Sequence, residues 1–170
     1  MPNVPIEPFG PQHDRTNFRC GNEALDRYFH ERIGKELEAR VAAAFVMADG
    51  PVVLGYYTLS AHSIERNALP EEVVKKLKLP KDPLIPATLM GRLAVDLKYQ
   101  GQRLGEILLM DGLERSYVHS SQVASFAVVV DAKENAAGYY RKYGFLHLPP
   151  GLRMFIPMET LKKLIGYPPR

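Results

Sequence analysis

The sequence predicts an α/β or α+β domain, a mixed twisted sheet flanked by helices on both faces. Three observations predict it. Of 170 residues, 46% are hydrophobic, enough for one buried core and too few residues for two ordinary domains, so residues 1–170 are expected to form a single domain. Strand-like runs rich in β-branched and aromatic residues alternate along the chain with segments of helical spacing. One such run, Val123 to Val130, is almost continuously apolar, as a strand covered on both faces must be.

Each element has its own signal. Met1 to Gly10 carries prolines and an acidic residue where a signal peptide needs basic residues and an apolar stretch, and no apolar run approaches the ~20 residues of a membrane span; a soluble cytoplasmic protein is expected. From Asn22 to Arg40, Leu25, Tyr28, Phe29, Ile33 and Leu37 recur at helical spacing behind a Gly21-Asn22 cap. Ala42 to Met47 and Val52 to Ser60, joined by Asp49-Gly50-Pro51, read as a β-hairpin. A short helix over Glu71 to Lys78 is followed by Pro80, Pro83 and Pro86, which break the chain before a strand from Thr88 to Val95. A helix over Gly105 to His119, the strand Val123 to Val130 and a helix over Glu134 to Tyr143 stopped by Gly144 come next. Short strands at Phe145 to Leu148 and Arg153 to Pro157 lead to a last helix from Glu159 to Ile165.

Composition excludes several chemistries. The lone cysteine, Cys20, allows neither an internal disulfide nor a thiolate cluster and reads as a small buried or half-buried hydrophobe. The five histidines show no ligand spacing, so no metal is expected. A net charge of +3 does not by itself diagnose nucleic-acid binding, though it permits an anionic cofactor or partner.

The most informative stretch is Gln100-Gly101-Gln102-Arg103-Leu104-Gly105, a glycine-containing loop between a strand and a helix. The first N–H groups of a helix have no internal partner, the helix dipole adds positive potential, and glycine lets backbone approach a phosphate. Lys98 and Arg103 add charge, so the loop suits a pyrophosphate. Neither the P-loop nor the dinucleotide fingerprint is present there, which disfavours a kinase or a dehydrogenase.

These residues resemble the pyrophosphate loop [RQ]-x-x-G-x-[GA] of the GCN5-related N-acetyltransferases, the GNAT family, with Arg103 in place of the middle glycine. Asn135 to Phe145 is similar to the family's A-x-x-[FY]-Y-x-x-x-G-F helix. The resemblance implies a GNAT fold, acetyl-CoA as co-substrate, and cofactor contacts from Gln100, Gly101, Gln102, Arg103, Leu104, Gly105 and Asn135, with backbone from Leu93, Ala94 and Val95 along the pantetheine arm. It implies Tyr140 as the catalytic acid, because a phenol can protonate the thiolate that leaves as an amine attacks the thioester.

A lysine amine, with a pKa of about 10.4, needs a base, whereas an α-amine at about 7.7–8 is already partly neutral. No Asp or Glu stands between Asp82 and Asp96, which leans toward an α-amine; Glu65, Asp131 and His62 remain as bases from elsewhere. Phe18 to Phe29 and Gly55 to Ala61 resemble the F-x-C-G-N-x-x-L-x-x-[FY] and G-[YF]-Y-x-L-S-A segments of the family's toxin branch. That branch implies acetylation of aminoacyl-tRNA, a block of translation, a ribbon-helix-helix antitoxin through which the complex binds operator DNA, and a homodimer. Arg66 and Arg92 are the basic residues expected at the tRNA substrate. Two alternatives stay open: a GNAT acting on a protein amine or polyamine, and a non-catalytic module that keeps the fold.

Overall fold

The computed structural model describes residues 4–166. The chain divides into two compact units, Met1–Ser60 with Met90–Gly112 and Ala61–Leu89 with Leu113–Arg170.

In the first unit, β1 (Ile6–Pro8) pairs antiparallel with β2 (Ala43–Asp49). No strand is expected in this proline-rich stretch, but an edge strand tolerates proline because one side of its backbone has no partner. The expected hairpin forms from β2 and β3 (Val52–Glu65), with a bulge between Met47 and Ala48. β3 runs five residues past Ser60, through a stretch whose one large apolar residue, Ile64, is buried.

The single helix expected from Asn22 is three pieces: α1 (Glu23–Arg27), a π-turn (Tyr28–Arg32) and α2 (Ile33–Glu38). The cap is as expected, the Asn22 side chain accepting from the N–H of Leu25. The π-turn has a cause in the sequence. Leu25, Phe29, Ile33 and Leu37 are spaced by four, so on a regular helix of 3.6 residues per turn each step would drift by about 40°. A turn with one extra residue restores the stripe to the core, and the Ile33 N–H bonds the Tyr28 carbonyl five residues back. Tyr28, Phe29 and Ile33 then pack with Phe18, Val46 and Tyr56, while Leu25 and Leu37 flank them.

The second unit holds α3 (Glu71–Lys76) and the first part of β4 (Leu84–Val95), whose residues from Met90 belong to the first unit; β4 begins four residues earlier than expected and includes Pro86. The Pro86 carbonyl accepts the N–H of Phe126, at the mouth of the ladder, where the donor that proline lacks is not needed. α4 (Leu104–His119) matches its expectation. β5 (Ala127–Asp131) is shorter than expected: Val123 is 61% exposed, and only Ala127 to Val130 are buried. α5 (Ala137–Arg141) is also shorter, the residues from Glu134 to Ala136 forming a turn. β6 (Leu146–His147) and β7 (Arg153–Pro157) pair antiparallel, β7 also lies antiparallel to β5, and α6 (Met158–Ile165) closes the chain. Ile85, Ala127, Val129 and Phe155 lie at the heart of this unit's core.

Among the described residues the strands make a seven-stranded sheet in the order β1-β2-β3-β4-β5-β7-β6, with β3 and β4 running through both units. No helix among those residues is long and apolar enough to cross a membrane.

Candidate active site

The first unit carries the phosphate loop and the end of β4. There the Asp96 N–H donates to the Leu54 carbonyl at 2.8 Å, and the Ala94 carbonyl lies 2.9 Å from where a Cβ on Gly55 would stand. Gly55 is therefore required by close approach. Backbone groups alternate along a strand, so those of Leu93 and Val95 face the edge away from β3. That edge is where an amide-bearing arm would add.

Asp96, a buried residue outside every motif in the sequence, organises the turn after β4. Its two carboxylate oxygens accept the N–H groups of Arg19 (3.0 Å) and Lys98 (2.9 Å), and the Leu97 N–H bonds back to the Arg19 carbonyl at 2.8 Å. An Asp at the end of a strand before a turn is the signal that identifies it. The Gln100 amide donates to the carbonyls of Val95 and Cys20, both at 2.9 Å, so this side chain ties the loop to the strand and its amide N–H groups are engaged within the protein.

Gly101 (φ 84°) and Arg103 (φ 61°) both have left-handed backbone. Arg103 thus stands in a backbone conformation that glycine adopts more readily than a residue with a Cβ. The Ile107 N–H bonds the Arg103 carbonyl as the first helical bond, which leaves the N–H groups of Leu104, Gly105 and Glu106 without intrahelical partners. Leu104 is buried, anchoring the helix start, while Gly101, Gln102 and Arg103 are exposed. Gly105 stands where a Cβ would lie 3.8 Å from the Val95 side chain. Arg92, on β4, places its guanidinium carbon over the ring of Tyr28, 3.6 Å from the ring centre.

Cys20 behaves as expected of a partly buried small residue. Burial, with help from Asp26, pushes its thiol up to about 11.

The second unit carries Tyr140, Asn135 and Arg66. Tyr140 sits on α5, its ring edge-on to Tyr139 and Phe145, and its hydroxyl has no hydrogen-bond partner among the described residues. Burial raises its pKa, so the group is a protonated phenol at neutral pH, able to donate. Asn135 lies exposed in the turn ahead of α5 and not on the helix. The Arg66 Nε donates to the Pro80 carbonyl at 2.9 Å, fastening the loop before β4.

Two of the three bases held open are engaged with each other through Arg153. Its Nε donates to Asp131 at 2.8 Å and its Nη1 to His62 Nε2 at 3.1 Å. Burial, then the guanidinium, lowers the pKa of His62. The acceptor nitrogen of the neutral ring is thereby engaged, and Asp131 is ion-paired. Glu65 is exposed at the end of β3. Among the described residues no group of three or more His, Cys, Asp and Glu side chains is placed to hold a metal ion.

Residues 86–158 match the family model described as an acetyltransferase (GNAT) domain. The chain is similar to a probable toxin TacT of Sinorhizobium fredii, 33% identical over 95% of this chain and 94% of the relative. It is similar to a tRNA-acetylating toxin of Mycobacterium tuberculosis, 30% identical over 90% and 91% of the two chains. Among solved structures, it resembles AtaT complexed with acetyl-methionyl-tRNAfMet, with a TM-score of 0.86, 29% identity, and 96% and 99% of the two chains covered. It also resembles a tyrosine-to-phenylalanine mutant of AtaT bound to the C-terminus of the antitoxin AtaR and acetyl-CoA, with a TM-score of 0.81, 26% identity, and 97% and 99% covered.

Proposed function

The chain belongs to the toxin branch of the GNAT acetyltransferases, and from that premise we propose that it moves the acetyl group of acetyl-CoA to the α-amine of aminoacyl-tRNA, blocking translation. The observation that carries the reading is the loop at the start of α4, where two left-handed residues and three helical N–H groups without intrahelical partners meet the demands of a pyrophosphate.

Acetyl-CoA supplies an activated acyl group. Backbone of Leu93 and the N–H of Val95 hold the pantetheine arm, while the Ala94 backbone, expected to share in this, is turned to β3 and the Val95 carbonyl is taken by Gln100; Gly101 to Gly105 hold the phosphates through N–H groups, with Arg103 adding charge, Gln100 fixing the loop, and Asn135 as a further cofactor contact. The amine nitrogen bonds to the acyl carbon, the carbon–sulfur bond breaks, Tyr140 protonates the departing sulfur, and the proton that the nitrogen loses passes through solvent to restore the phenol. The engaged state of His62 and Asp131 favours an acceptor that needs no dedicated base, which an α-amine satisfies and a lysine does not. Arg66 and Arg92 contact the RNA. The protein acts in the cytoplasm as one acetyltransferase domain over residues 1–170, as a homodimer, restrained by a ribbon-helix-helix antitoxin through which the complex reaches operator DNA.

The test is incubation with labelled acetyl-CoA and charged tRNA, beside deacylated tRNA and a lysine peptide. Label is expected on charged tRNA alone and falls about a hundredfold or more in Tyr140→Phe, the lower range for losing a general acid. Label on the peptide in place of the tRNA sinks the substrate reading.

A further inference from the structure

Arg92 is half-buried, yet none of its guanidinium N–H groups has a hydrogen-bond partner among the described residues. Its one strong contact is the face of Tyr28, 3.6 Å from guanidinium carbon to ring centre. Stacking covers the flat face of a guanidinium and leaves its edge, where all five donors lie, open for an anion in the same plane.

The ring beneath is held on every side. Tyr28 is 2% exposed, and its hydroxyl donates to Glu36 Oε1 at 3.1 Å. Glu36 Oε2 in turn accepts from Arg32 at 3.1 Å, and the Arg32 guanidinium lies 5.8 Å from the same ring. Glu36, the carboxylate bound to this ring, is thus engaged by Tyr28 and Arg32 and does not answer the charge of Arg92. The π-turn produces the arrangement, because the extra residue turns Tyr28 inward between α1 and α2. π-turns of this kind recur at functional sites.

The position of Arg92 selects among anions. It lies three residues, about 10 Å, back from the end of β4, while the phosphate loop begins beyond that end. The cofactor's phosphates have the N–H groups of α4 and the side chains of Lys98 and Arg103. An anion arriving at Arg92 comes from the acceptor.

We infer that Tyr28, fixed by Glu36 and Arg32, is a positioning residue that presents the edge of Arg92 to a backbone phosphate near the aminoacylated end of the tRNA. This rests on the proposed tRNA acceptor and gives it a specific contact.

The test measures acetylation of charged tRNA at two salt concentrations. Arg92→Gln is expected to raise the KM for charged tRNA about tenfold, the loss of one charge-assisted contact, with kcat and the KM for acetyl-CoA held. It lowers the slope of log KM against log salt by about one, as loss of one phosphate contact does. Arg92→Lys recovers little, since an ammonium has no planar edge. Tyr28→Phe keeps the ring and loses Glu36, raising the KM about twofold to threefold, within the range of one lost hydrogen bond. Tyr28→Leu raises it as Arg92→Gln does, and the double variant adds nothing further.

An unchanged tRNA KM in Arg92→Gln, with wild-type protein labelling charged tRNA, overturns the inference. So does an additive double variant, or a fall in kcat that tracks a fall in Tm. If Tyr28→Leu fails to fold, the Arg92→Gln measurement still decides. Wild-type protein that labels a lysine peptide and no tRNA overturns the substrate reading and this inference with it, and that control separates the two failures.

Discussion

Arg103 holds glycine's conformation at φ 61° with no hydrogen-bond partner among the described residues for its side chain. Left-handed backbone costs a residue with a Cβ about 1–2 kcal/mol, while glycine costs about 0.5–1 kcal/mol in unfolded-chain entropy. The balance predicts that Arg103→Gly is more stable by about 0.5 kcal/mol, read as a Tm higher by about 1–2 °C. Arg103→Ala keeps the strain and gains nothing. Both variants lose the charge, so both are expected to raise the KM for acetyl-CoA by about threefold, a modest loss suited to an exposed cation. A KM unchanged in both would show that the guanidinium does not touch phosphate.

The pH profile separates the two sources of a neutral amine. If the substrate arrives partly neutral, kcat/KM climbs with pH through the α-amine's own pKa, about 7.7–8, and then levels. If His62 were the base, the limb would follow His62, whose pKa is lowered below its usual 6.5 by burial and Arg153. The expected result is a limb near pH 8 that His62→Asn leaves in place. A limb below 6.5 that vanishes in that variant would restore His62 as the base.

At the scale of elements, the hairpin, α3, α4 and the terminal helix were legible because each has a strong period and clear end signals. The π-turn was legible only in part. The four-residue spacing of Leu25, Phe29, Ile33 and Leu37 looks helical, and its excess over 3.6 shows as a fault only when summed over three steps. β1 was hidden because its pairing partner, β2, lies some forty residues away and its own residues are poor strand formers. The far end of β3 was hidden for a like reason, Ala61 to Glu65 offering only Ile64 to a core. α5 is shorter than its expectation because the backbone turns at Glu134 to Ala136, the Ala136 N–H bonding the Lys133 carbonyl, and the poor helix former Asn135 sits in that turn. Of the site, the loop motif and Tyr140 stood out as patterns. Asp96 and Tyr28 did not, because their roles are hydrogen bonds and stacking to residues more than sixty positions distant.

For the whole molecule, a net charge of +3 over 170 residues is too small a field to gather tRNA from a distance. On the proposed tRNA acceptor, affinity comes from a few placed cations, and the RNA contributes beyond the reacting amine. Binding energy from remote parts of a substrate serves to position the reacting part, so a substrate stripped of them loses rate as well as affinity. An amino-acid methyl ester carries the same α-amine without the RNA. Its kcat/KM is expected to fall below that of the matching charged tRNA by about a thousandfold or more, the range of positioning effects. Rising salt is expected to weaken the tRNA reaction and leave the ester reaction nearly flat, because phosphate contacts release counterions and the ester makes none. Equal efficiency on both substrates would mean that the protein recognises the amino acid alone, and that Arg66 and Arg92 hold the fold and touch no acceptor.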